Sequence, residues 1–143
     1  MDSWRGVLLG AVGECLQRIL KVNGFATDAG ASYTPEPGQV DASASAVLAA
    51  LILKQERATQ AGLVRTHRLT TVGVLIKLPA LPQEEQAILE AAISDAERAL
   101  DGQQARFAAG IEYPQYISME PVKPDPGAGW VGALLTYQSH IPK

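Results

Sequence analysis

The side chains able to do chemistry are few: two histidines, His67 and His140, one cysteine, Cys15, and the adjacent acids Glu84 and Glu85. Nucleophilic catalysis needs a hydroxyl or thiol, a base beside it and a group that orients the base, while metal hydrolysis needs His, Cys or carboxylates at fixed spacings. No His-x-x-x-His pair and no ordered Asp, His and Ser spacing connects the two histidines, so both read as ordinary surface or interface residues. Cys15 falls on an apolar helical stripe, where a thiol is a small buried hydrophobe rather than an activated nucleophile. One cysteine also excludes an internal disulfide and a cysteine-based metal cluster. Glu84 and Glu85 are consecutive at a helix start, where acids offset the positive end of the helix dipole. Gly127 and Gly129 precede an extended segment instead of opening a helix, and no Gly-Lys-Ser or Gly-Lys-Thr exists for a phosphate loop. No catalytic, cofactor-binding or metal-binding residues are expected.

Charge is the more suggestive pattern. Fifteen acids against twelve Lys and Arg leave a net charge of -3, which gives no general attraction for nucleic acid. Within that total the signs separate. Lys54, Arg57, Arg65, His67 and Arg68 gather around one hairpin tip with only Glu56 opposing, whereas Asp28, Glu36 and Asp41 lie in an arm without a Lys or Arg. Either both are solvated faces, or the basic hairpin of one subunit meets the acidic arm of the next in a head-to-tail ring.

The elements that must position these groups follow from periodicity. At 143 residues, 47% hydrophobic and 19% charged, the chain is expected to be one globular domain, 1–143. It has no run of about 18 apolar residues to span a membrane. The N-terminus lacks a basic flank followed by an apolar core and cleavage site, so export is not expected and a cytoplasmic origin is. Trp4, Val7, Leu8, Ala11, Cys15, Leu16, Ile19 and Leu20 form a helical stripe closed by a stop at Asn23-Gly24. Gly6, Gly10 and Gly13 share one face of that helix at a cost of about 1 kcal/mol each. Such a face implies close approach, by a sheet of the same subunit or by a neighbouring subunit.

Residues 23–43 read as an irregular arm, with Thr27, Asp28, Gly30, Pro35, Pro37 and Gly38 as turn formers. Residues 44–60 admit either an Ala-rich helix or a buried strand; the β-branched alternation of Val72, Val74, Ile76 and Leu78 favours a strand paired to them through Ala61-Gly62. Pro82, Gln83, Glu84 and Glu85 open a second helix with the stripe Ile88, Leu89, Ala92, Ile93, Ala96, Ala99 and Leu100, stopped by Gly102. Strands at 116–122 and 130–140 flank a Pro124-Asp125-Pro126-Gly127 turn. The expected fold class is α/β (α+β): a mostly antiparallel sheet of about four strands with two main helices packed on one face.

Two segments carry a resemblance to a known family. The string from Leu20 to Gly30, with Asn23-Gly24-Phe25 and Thr27-Asp28-x-Gly30, and the helix ending Asp95-Ala96-Glu97-Arg98-Ala99-Leu100, are similar to patterns of the tail terminator (tail completion) proteins of long-tailed bacteriophages. The element order, and a late strand ending near Tyr137, also fit. Phe25 stands where tyrosine is common, and Ala42 to Ala50 is unusually Ala-rich. The resemblance implies a structural virion protein at the head-tail neck, assembled in the host bacterial cytoplasm. It implies a homo-oligomeric ring, typically a hexamer, that caps the tail tube, ends tube polymerisation and provides the head-tail joining surface. The implied partners are the chain itself, the tail tube protein and a head-completion or connector protein. Genomic DNA would only pass through the lumen, made negative by the acidic arm or the acidic helix, and no membrane is involved. Asn23, Gly24, Asp28, Glu36, Asp41, Arg57, Arg65 and Arg68 are the expected subunit or tube interface. Another neck component, a head-completion protein or connector adaptor, is the alternative; a small enzyme, which would need a pocket bringing His67 or His140 near a carboxylate, is the one of different class.

Overall fold

A computed structural model describes residues 3–80, 83–122 and 124–143. The first helix, α1, spans Trp4–Gln17, and the Ser3 hydroxyl caps it by accepting the Gly6 N–H at 3.0 Å. It ends before the expected Asn23-Gly24 stop. Arg18 N–H closes on the Cys15 and Leu16 carbonyls, Leu20 is extended, and Lys21–Asn23 forms a separate 3-10 turn that Gly24 terminates at φ 89°. The early exit lets the Ile19 side chain stay in the core while its carbonyl takes the Gly30 N–H at 2.8 Å. Gly30 comes so near the helix end that a Cβ there would stand 2.6 Å from the Gln17 carbonyl oxygen.

The glycine face of α1 is not a seam with the sheet. A Cβ on Gly13 would run into the Tyr33 hydroxyl, Gly6 meets only the Ser3 hydroxyl, and Gly10 has nothing within 4 Å. Loop and solvent, not β-structure, lie over these residues. Helix and sheet meet instead through the apolar stripe, where Leu8, Val12, Cys15, Leu16 and Ile19 are buried in the common core.

Residues 44–60 resolve as strand. β1 (Val47–Arg57) pairs antiparallel with β2 (His67–Pro79) across a 3-10 turn at Ala61–Leu63. The second helix, α2 (Glu85–Ala99), follows, with Glu84 at its N-cap; the expected start at Pro82 lies outside the described residues. Gly102, at φ 67°, stands just past its end. β3 (Gln115–Val122) and β4 (Trp130–Pro142) complete a four-stranded sheet of order β1-β2-β4-β3 in which every pairing is antiparallel.

Register explains which face is buried. Val72 lies between Ile52 and Tyr137, Val74 between Ala50 and Leu135, and Ile76 between Leu48 and Ala133. Alternate residues of three strands therefore line one face, and both helices cover it in a single hydrophobic cluster. A bulge between Ile52 and Lys54 turns Leu53 out, 43% exposed. On the opposite face Leu53 and Leu134 close over Gly73, where a Cβ would meet both side chains at about 3 Å. The arm is anchored along β1: Tyr33 bridges Leu48, and Thr34 N–H donates to the Leu48 carbonyl at 2.9 Å.

Candidate functional site

His140 and His67 prove to be fastened rather than free. His140 is 4% exposed, and its Nδ1 lies 3.1 Å from Glu112 Oε1, the same oxygen that accepts the His140 N–H. On the other side Nε2 accepts the Thr59 N–H at 3.2 Å and lies 3.1 Å from the Thr59 hydroxyl. This hydroxyl, imidazole and carboxylate succession has the outline of a nucleophile array, and it meets half of what an enzyme would need. The Nε2 lone pair, however, is directed at a backbone N–H, which ties residues 58–60 to β4 instead of leaving a base to activate Thr59. Neither Thr59 nor Glu112 was legible as its partner, because they stand 81 and 28 residues away in sequence. His67 bridges the Thr66 hydroxyl at 2.7 Å and the Gly110 carbonyl at 3.2 Å. Cys15 is fully buried, and desolvation pushes its thiol pKa up, against the smaller pull of Arg18 and Arg106. Among the described residues no cluster of three His, Cys, Asp or Glu could hold a metal ion.

The loop after α1 is built around one carboxylate. Asp95, 1% exposed on α2, accepts the Ala26 N–H at 3.1 Å, the Thr27 N–H at 2.7 Å and the Thr27 hydroxyl at 2.7 Å. Arg98 lies 3.6 Å from the same carboxylate, donates to the Gly24 carbonyl at 3.4 Å and covers the Phe25 ring at 5.0 Å. Arg18 approaches that ring at 5.9 Å and donates to the Ala99 carbonyl at the end of α2. Within the turn the Asn23 amide donates to the Arg18 carbonyl and Asp28 accepts the Lys21 N–H at 2.8 Å. Asn23, Gly24 and Asp28, expected at an interface, thus have structural work inside the loop. Asp28 shares a shallow cleft of about 420 Å³ with Lys21, Ala87, Ile88 and Ala91, so it is apart from the other two acids of the arm and beside a cation.

Asp41 instead sits at the end of the sheet where β4 begins, while Glu36 follows the Tyr33–Leu48 bridge at the edge of β1. Asp41 holds the Ser43 N–H and hydroxyl, which keep its carboxyl below the usual range, and Ser43 lies against Gly129, whose carbonyl accepts the Ala80 N–H. The β3–β4 turn, which carries Asp125, therefore lies beside the Asp41 segment. Arg57 and Arg68 are directly opposed at the other end. They line two adjoining clefts of about 350 and 320 Å³ that share Gln55, Arg68 and Lys143, one extended by Arg57 and His67, the other by Trp4 and Arg5. Arg5 is held by the Gln55 amide oxygen at 3.0 Å, and Glu56, the one acid in these clefts, is engaged by Lys54 at 3.5 Å. Arg65 stands in the turn beside them. A fourth cleft, about 370 Å³, runs between Gly10 of α1 and Arg106, which reaches Glu14 at 4.0 Å. Thr59, Glu112 and His140 line none of the four.

Basic side chains thus gather at the Arg57–Arg68 end of the sheet, and Asp41 lies at the other with the turn that carries Asp125. No protein-family model matches the chain, and comparison with curated proteins returns no match.

Proposed function

We propose that this chain is the subunit of a ring that caps a phage tail tube, ends tube polymerisation and presents the surface to which the head joins. The observation that carries the reading is the Asp95 link. The Leu20–Gly30 string and the Asp95–Leu100 helix ending, on which the resemblance to tail terminators rests, are in contact through four hydrogen bonds and the Arg98–Phe25 stack. Segments that work as one structural unit are what a shared fold would keep together. The four-stranded antiparallel sheet covered by two helices agrees in element order.

A ring that stops growth must match the tube on one face and offer no site for a further layer on the other. Glu90, Glu97 and Asp101 of the α2 region would supply the negative lumen through which DNA slides without sticking. Addition of the protein to polymerising tail tube subunits tests the reading: capped tubes of arrested length support it. Binding to portal-side subunits with no effect on tubes would instead identify a head-completion protein or connector adaptor.

A further inference from the structure

We propose that the two adjoining clefts at the Arg57/Arg68 end of the sheet form one site for a compact ligand with linked phosphate groups, of the class of pyrophosphate or the polyphosphate of a nucleotide. The inference goes beyond the ring-cap reading and does not rest on it. Strand register puts the cations on one face of the sheet. Arg68 is on the Val72 and Val74 side of β2, Arg57 is its direct partner on β1, and Lys143 comes two residues after the buried Ile141, the β4 partner of Arg68. Like charges so opposed repel. The helices cover this face further along the sheet, but here it is open: Arg57, Arg68 and Lys143 are exposed, and Ser3, Trp4 and Arg5 at the start of α1 border the gap.

The site is organised before any ligand arrives. The buried Thr70 hydroxyl accepts the Gln55 amide N–H at 2.9 Å, and the Gln55 oxygen in turn accepts the Arg5 guanidinium at 3.0 Å. The Lys143 N–H extends the ladder by donating to the Thr66 carbonyl at 2.9 Å. Among the described residues no carboxylate lies within 4.0 Å of Arg5, Arg57, Arg68 or Lys143, and Glu56, the acid of the first cleft, is engaged by Lys54 at 3.5 Å. Cations from α1, β1, β2 and the end of β4 therefore converge without a counter-ion, and a single carboxylate would leave most of their repulsion in place. Guanidinium forks match phosphate oxygens in pairs. Arg68 and Lys143 belong to both clefts, of about 350 and 320 Å³, so linked phosphates seated in each would share them. The net charge of -3 disfavours a long polyanion such as duplex DNA. Trp4, 37% exposed in the second cleft, offers a ring face to a base carried by the phosphates.

Calorimetric titration of the intact chain at low salt with pyrophosphate, inorganic phosphate and ATP tests this. Pyrophosphate should bind with one-to-one stoichiometry and more tightly than phosphate, shifting the amide resonances of Gln55, Arg57, Arg68 and Lys143. Arg57→Ala and Arg68→Ala should each raise the dissociation constant about tenfold or more, while Arg65→Ala, in the neighbouring turn and in neither cleft, should change it less than about twofold. Arg57→Lys keeps the charge and loses the fork, so it should bind at intermediate strength, which separates a lost contact from a lost fold. Equal affinity for ATP and pyrophosphate assigns the site to the phosphates alone; tighter ATP binding whose advantage disappears in Trp4→Ala assigns it to a nucleotide. No heat and no shift at millimolar pyrophosphate overturns the inference, as does an equal loss in Arg65→Ala. So does displacement of pyrophosphate by acetate or polyglutamate at the same concentration, which would make this a carboxylate site, or duplex DNA that binds more tightly than ATP through the same arginines. A chain that arrests tube growth but binds no pyrophosphate removes this site alone, whereas one that binds pyrophosphate and ignores tubes removes the ring-cap reading alone.

Discussion

The Thr27 N–H and hydroxyl both donate to one carboxylate oxygen of Asp95, each at 2.7 Å, across 68 residues of sequence. Removing that carboxylate would strand two backbone N–H groups, Ala26 and Thr27, in a part-buried setting. Asp95→Ala should therefore cost about 2–4 kcal/mol, and Thr27→Val, which deletes only the hydroxyl bond, about 1 kcal/mol. Urea denaturation measures both; an Asp95→Ala midpoint equal to wild type would mean the loop is not held by this group.

Alkaline pH should weaken the fold. Burial raises the pKa values of Cys15 and Tyr137, and Glu97 adds to the effect at Tyr137. The unfolded chain ionises both in the ordinary range, about 8.5 and 10, so above those values it binds fewer protons than the native state and stability falls as pH rises. The urea midpoint should drop between pH 7 and pH about 10.5, and Tyr137→Phe should shallow that drop. Native Cys15 should also resist thiol reagents until denaturant is added.

His140 is expected to support the structure without catalysing anything. His140→Ala should cost about 2–3 kcal/mol by leaving Thr59 N–H and Glu112 unpaired. Turnover of an activated ester by wild type should equal that of Thr59→Ala. A rate well above the Thr59→Ala background would restore the small-enzyme alternative.

Two glycines should respond in opposite directions. Gly10→Ala adds a methyl where nothing lies within 4 Å, inside a helix, and should stabilise by about 0.5–1 kcal/mol. Gly30→Ala drives a Cβ into the backbone of Gln17 and should destabilise by about 1–3 kcal/mol. Thermal unfolding of the two variants reads both signs.

Much of the architecture was legible because it depends on period. Strand alternation from Val72 to Leu78 and the α2 stripe from Ile88 to Leu100 specified buried faces directly, and the four-stranded antiparallel sheet with two helices on one side followed. The end of α1 was not. Asn23-Gly24 carries the chemistry of a helix stop, but the left-handed glycine closes a later 3-10 turn, since the chain must leave the helix at Gln17 to bring Gly30 against it. Sequence also set three acids in one arm, whereas folding lays Asp28 against α2 and brings the turn that carries Asp125 beside the Asp41 segment. Arg5 and Lys143 joined Arg57 and Arg68 in the same way, by tertiary contacts that no local spacing records.

β4, the strand latest in the chain, lies between β2 and β3 rather than at a margin of the sheet. The β1–β2 hairpin can form as soon as it is synthesised, yet β3 has no hydrogen-bonded neighbour until residues 130–142 arrive. Formation of the core therefore waits until residues 130–142 have been synthesised, and its rate is governed by closing the long loop from β2 to β4. A ribosome-bound chain halted before Trp130 would display an unfilled slot beside β2, a binding site for chaperones and a liability for aggregation.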